Sequence, residues 1–237
     1  MQLKKFEKMS KAELVVFCLM AISSGTVIAI GGVSSLLANA IYGVLGKLIG
    51  GVLFTLGIYA IIVYEMRLFT GMVSNIPTLG VKNCWRLGVC FIGNIIGVAI
   101  VALLAYYSPV AETVVAQGHA VAVAKLSAES WAIKAFCSSV LCGMLITLSV
   151  QVVNFAPQKG ISATLGVLFP IMVFAFCGFD HSVANMLYFY YYGTISWQMI
   201  GYILITIVGN VVGGVLLPYI TLLKTRVHQQ KEEKGER

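Results

Sequence analysis

The sequence predicts an all-α membrane protein with six crossings, built as two inverted three-helix repeats in which helices 2 and 5 are broken. Three observations carry that expectation. Of 237 residues, 59% are hydrophobic and 11% charged, whereas soluble domains carry about 25% charged residues. The charges gather between long apolar stretches instead of within them. Two of those stretches are interrupted by polar residues, at matching places in the two halves of the chain.

The first stretch covers 11–39, behind Lys4, Lys5, Lys8 and Lys11. With Ala38-Asn39-Ala40 after it, this imitates a secretion signal. The apolar run is, however, well beyond the roughly 7–15 residues of a signal peptide, so a retained first helix is expected. The second stretch, 47–64 with 68–79, breaks around Glu65; the third is 86–107. A connection over 108–130 leads to the fourth, 131–153. The fifth, 161–177 with 182–192, holds two pieces each too short to cross a bilayer, which takes about 20 helical residues. The sixth is 197–223. Nothing is left over for a soluble domain, so 1–237 reads as one membrane domain with a basic tail at each end. Trp85, Trp131, Trp197 and the run Tyr188–Tyr192 near the ends of stretches read as interfacial aromatics.

The net charge of +7 suggests nucleic acid until its placement is considered. Six crossings put both termini on one side. If that side is the cytoplasm, twelve of the sixteen Lys and Arg lie inside, Lys47, Lys125 and Lys134 lie outside, and Arg67 falls within a stretch. That asymmetry is the positive-inside pattern of an inner (cytoplasmic) membrane protein. The basic ends are expected to meet anionic lipid headgroups, and no nucleic-acid motif is present. The cysteines at 18, 84, 90, 137, 142 and 177 form no CxxC pair, so no disulfide framework, metal site or cofactor is expected.

Gly93-Asn94-Ile95-Ile96-Gly97 in the third stretch recurs as Gly209-Asn210-Val211-Val212-Gly213 in the sixth, an offset of 116. The same offset carries Glu65 onto His181, so the two breaks correspond. Each half, 11–107 and 131–223, holds three crossings. Three is odd, so the second half enters the membrane inverted. Backbone leaves the helix at that depth only where it is buried in protein or lines an aqueous cavity. Broken helices at matching positions mark a solute path near the midplane.

The break residues resemble those of the formate/nitrite transporter family. Leu68-Phe69-Thr70-Gly71 is similar to that family's second-helix loop, and Gly178-Phe179-Asp180-His181-Ser182-Val183-Ala184-Asn185-Met186 to its fifth-helix stretch. Gly209-Asn210-x-x-Gly213-Gly214 is similar to its sixth. The resemblance spans essentially the whole chain. It implies an aquaporin-like protomer in a homopentamer, each protomer with its own pore for small monovalent anions. There are departures. Arg67 stands where the family usually has an acid, Cys142-Gly143 replaces a Cys-Asn pair, and Ile146-Thr147-Leu148-Ser149 replaces Val-Cys-Leu-Ala. So divergent a pore looks most like the hydrosulfide-channel branch.

A small anion crossing hydrocarbon faces a large desolvation penalty, offset only by donors, dipoles or neutralisation. His181 can supply a hydrogen bond, a charge or a proton, its unperturbed pKa being about 6.5. A weak acid could pass it protonated, or the imidazole could donate to the anion; a structural histidine bonded to a loop carbonyl is the plainer alternative. Thr70 on the facing break either donates to substrate or His181, or caps the half-helix starting near Met72. Asp180 is expected to cap the half-helix near Ser182, Asn185 to tie loop carbonyls, and Glu65 and Arg67 to serve as loop scaffold. Lys134, matching a basic residue of the family, either gathers anions at the mouth or reaches lipid headgroups. Phe54 and Phe174, by family position, and Leu68 are candidates for apolar constrictions, against the alternative of simple packing.

Two rivals stand against an anion path. An aquaporin-like channel for water or neutral solutes would carry Asn-Pro-Ala, but Asn75-Ile76-Pro77 and Asn154-Phe155-Ala156-Pro157 are in the wrong order. An enzyme or haem protein lacks its parts: Asp180 is the sole aspartate, and only His181 of three histidines lies within a stretch. No catalytic residue is expected.

Overall fold

The computed structural model describes residues 9–155 and 160–233. Lys4, Lys5, Lys8, Lys159, Lys234 and Arg237, and Ala156-Pro157, lie outside the described residues. Helix α1, Lys11–Val63, starts on a capping box in which Glu13 N–H donates to Ser10 Oγ and Ser10 N–H to the Glu13 carboxylate. Gly43, at φ 56° and ψ −121°, occupies a backbone region open to glycine. The helix folds back on itself there: Gly50 packs against Ser35 and Gly57 against Val27 and Ile28. The expected first stretch and the upper part of the second are thus the two arms of one hairpin.

The chain leaves the helix over 64–68, with Glu65 at φ 51°. It resumes in two short helices, α2 (Phe69–Met72) and α3 (Ile76–Leu79). Helix α4, Trp85–Tyr106, packs on α1. Where the sequence marked only a connection, α5 (Ala111–Leu126) forms and lies against α8 and α1. Helix α6 (Trp131–Phe155) leads to α7 (Ile161–Cys177), which ends on Gly178 in the left-handed conformation. After the second break come α8 (Ala184–Tyr192) and α9 (Trp197–Glu233). At 1.5 Å per residue, the 37 residues of α9 outrun the ~30 Å hydrocarbon layer, so the turn holding Lys224 and Arg226 projects from it.

One contact is made twice. α1 meets α4 and α6 meets α9 through small residues: a side chain at Gly97 would strike the backbone of Ile22, and one at Gly213 the backbone of Val140. Such close approach lets polar groups on one helix reach carbonyls on the next. Asn94 and Asn210, both fully buried, use it. The outward faces carry exposed Leu, Ile and Val, including Val44, Ile92, Leu104 and Leu204. α1, α4, most of α6 and α9 are long and apolar enough to cross a membrane, and α7 is a shorter apolar helix.

Candidate functional site

Both breaks are pinned by an asparagine. Asn94 Oδ1 accepts from Phe69 N–H (2.8 Å), while its Nδ2 donates to the carbonyls of Ala21 (2.8 Å) and Arg67 (2.9 Å). Asn210 Oδ1 accepts from Ser182 N–H (2.8 Å), while its Nδ2 donates to the carbonyls of Ser139 (2.9 Å) and Asp180 (2.9 Å). Unwinding a helix inside an apolar bundle strands backbone groups that must find partners. One amide side chain satisfies two of them in each half and ties the break to a carbonyl of a neighbouring helix, Ala21 of α1 or Ser139 of α6. The equivalence it defines pairs Arg67 with Asp180 and Phe69 with Ser182, an offset of 113. The partner of His181 is therefore Leu68, not Glu65, because the segment from break to asparagine is shorter in the first half, 27 residues from Arg67 to Asn94 against 30 from Asp180 to Asn210.

The breaks meet at Thr70 and His181, whose Oγ1 and Nε2 are 2.9 Å apart, both side chains fully buried. His181 Nδ1 accepts from the N–H groups of Val183 (3.2 Å) and Ala184 (3.1 Å) at the start of α8. An accepting Nδ1 leaves the hydrogen of the neutral ring on Nε2, donated to Thr70 Oγ1. The hydroxyl then has its own hydrogen to offer. Thr70 caps no helix, since α2 begins without a side-chain cap; His181 and Asn210 do the capping at the second break.

Asp180 does not cap. Its Oδ1 accepts from Lys125 Nζ (2.6 Å), Asn185 Nδ2 (2.8 Å) and Tyr202 OH (2.9 Å), and Ser138 Oγ takes its N–H (2.8 Å). A buried carboxylate needs a cation and donors, and the α8 amides cannot supply a cation. Asn185 is committed to that carboxylate instead of to loop carbonyls; Asn94 and Asn210 hold the carbonyls. Lys134 is exposed and lines a side cavity of about 360 Å³ with Lys125, Trp131, Ser138, Asp180 and Tyr202. Glu65 and Arg67 are exposed and make no ion pair among the described residues. Their backbones hold the loop: Arg67 N–H donates to Met20 and its carbonyl accepts from Cys90 and Asn94.

Phe54 and Phe174 are buried and meet edge-to-face, ring centroids 5.2 Å apart; Phe174 stands 5.8 Å from the His181 ring. Leu68 is buried on the first break, two residues before Thr70. The departures in α6 are accounted for by packing: Thr147 Oγ1 donates to the Gly214 carbonyl, and Ser149 Oγ to those of Leu145 and Val167. Among the described residues, no group of three His, Cys, Asp or Glu is placed to hold a metal. Sequence reasoning missed Lys125 and Tyr202, which act on Asp180 from 55 and 22 residues away and belong to no local motif. The repeated Gly-Asn-x-x-Gly did announce the two asparagines, though not their task.

A helical bundle with four long apolar helices and two internal breaks joined by a buried His–Thr pair defines an integral membrane protein of the transport kind. The family model of the formate/nitrite transporters matches residues 2–223, and the chain belongs to that family, one of transporters and channels and not of enzymes. It is 30% identical over 210 residues to the uncharacterized transporter YrhG of Bacillus subtilis (strain 168), covering 81% of this chain and 78% of that protein. The probable formate transporter of Methanothermobacter thermautotrophicus is 29% identical over 253 residues, covering 89% and 88%. A solved pentameric formate channel with formate bound superposes with a TM-score of 0.74 at 20% identity, covering 93% of this chain and all of that one.

Proposed function

We propose that this chain carries small monovalent anions of weak acids, the class that includes hydrosulfide, formate and nitrite, across the cytoplasmic membrane. In this reading, the anion passes between Phe54 and Phe174 and meets the Thr70–His181 pair, with Leu68 on the far side. The observation that carries it is the buried 2.9 Å contact between Thr70 Oγ1 and His181 Nε2, which joins two breaks that nothing else in the fold requires. With Nδ1 accepting from backbone, the chain Nε2–H to Thr70 Oγ1 to substrate ends in a hydroxyl hydrogen, a donor suited to an anion. The apolar rings ahead of it resist hydrated cations.

The paired asparagine networks support two inverted repeats, 11–107 and 131–223, and so six crossings with both termini on the cytoplasmic side. The formate channel's pentamer supports a homopentamer here. The test is a flux panel in proteoliposomes over formate, nitrite, acetate, lactate, chloride and hydrosulfide, with and without a pH gradient. Weak-acid anions are expected to move and chloride to lag. Thr70→Val, which keeps the shape and removes the hydroxyl, is expected to cut weak-acid flux by about tenfold or more, since a hydrogen bond to a charged group contributes about 1.5–3 kcal/mol. Unchanged flux in that variant, with the oligomer intact, refutes the pathway.

A further inference from the structure

The Phe54 and Phe174 rings meet across the two halves of the chain, one carried by the second arm of α1 and the other by α7. A glycine sits where those two helices approach each other. Gly51 is buried, one turn ahead of Phe54. A side chain placed there would stand 3.2 Å from the Met172 carbonyl oxygen, 3.5 Å from Phe176 N and 3.8 Å from Ala175 Cβ. Those three residues bracket Phe174 along α7. Backbone atoms cannot swing aside as the end of a side chain can, so a methyl group at position 51 is admitted only by moving the helices apart. The glycines at 46, 50 and 57 face the first arm of the same hairpin instead. Among the described glycines of α1, Gly51 is the one whose added side chain would meet α7. The size of the shift also differs from that at the other close approaches. At Gly97 and Gly213 an added side chain would overlap a carbonyl oxygen outright, whereas at 3.2 Å the neighbour has to give by a few tenths of an ångström. A close-packed interior passes such a shift on to what the helices carry, and here they carry two rings already in contact, centroids 5.2 Å apart.

We infer that Gly51 sets the size limit of the pathway. By letting α1 and α7 come this close, it holds the Phe54–Phe174 pair shut against weak acids bulkier than the smallest. Gly51 touches no substrate; it is a positioning residue that acts through the rings. The inference rests on the transport reading above, in which the substrate passes between them.

The test compares uptake of formate and of the bulkier lactate into proteoliposomes holding the full-length protein. Gly51→Ala is expected to raise the ratio of lactate to formate uptake about threefold, a fraction of the roughly tenfold or more that one methylene decides at an apolar site. A merely structural defect would lower uptake of both anions together and leave their ratio alone. Ala175→Val adds bulk to the same contact from the α7 side, at a half-buried position, and is expected to move the ratio in the same direction. It carries the test should Gly51→Ala fail to assemble. A ratio at or below that of wild type in the assembled variants overturns the inference and leaves the transport reading standing. A wild-type chain that moves no weak acid at all overturns the transport reading, and the inference with it.

Discussion

Asp180 shows how a carboxylate survives inside an apolar helical bundle. Three donors converge on one of its oxygens, and one of them, Lys125, is a cation 2.6 Å away. The pair is buried, with side chains 15% and 5% exposed, so removing one partner strands the other. Lys125→Met is expected to destabilise the protein by about 3–5 kcal/mol, read as a lowered midpoint of thermal unfolding in detergent, and Lys125→Met with Asp180→Asn should regain most of it. A double variant no more stable than the single one would show that Lys125 matters for packing and not for charge. His181, Thr70 and Asp180 were legible as candidates because polar residues stand out against an apolar background. Their partners were not. Whether Asp180 faces a helix start or a lysine depends on which side chains the fold delivers, and Lys125 arrives from a connection that carries no motif.

The breaks hold their shape because an asparagine on a neighbouring helix replaces the hydrogen bonds that a continuous helix would have made. Asn94→Leu and Asn210→Leu should each orphan one N–H at the break, that of Phe69 or of Ser182, at about 1–3 kcal/mol. The expected outcome is a lower unfolding midpoint for both, with comparable losses. A variant as stable as wild type would mean that other groups satisfy the break. Helices α4, α6 and α7 were readable to within two residues, since apolar runs of membrane length admit few other structures. Helix α9 instead runs on to Glu233, past the predicted end at 223, because hydrophobicity does not mark where a helix continues beyond the membrane. Gly43 was not foreseen as the point where α1 turns, because many glycines in the sequence look alike and only one sits between arms that pack. Helix α5 was missed because its composition is mixed: short and alternating Ala and Val with Gln117, Gly118 and His119, it becomes a helix by docking on α8 and α1.

Across the molecule, the outward faces of the bundle remain apolar, which suits lipid on some sides and further copies of the chain on others. The 25.5 kDa chain is expected to run in mild detergent as a pentamer. Light scattering coupled to size exclusion checks this, and a stable monomer or dimer would set the homopentamer aside. By itself, the sequence determined that this is a membrane bundle with two interruptions, and it named the residues standing in them. Hydrophobic length and polar breaks are local properties, because the bilayer acts on each segment separately. Only the tertiary structure decided that His181 Nε2 faces Thr70, that Lys125 and not a helix start answers Asp180, and that Asn94 and Asn210 close the two gaps. Those pairings bring together groups up to 111 residues apart, and no local spacing encodes a distance that close packing alone sets.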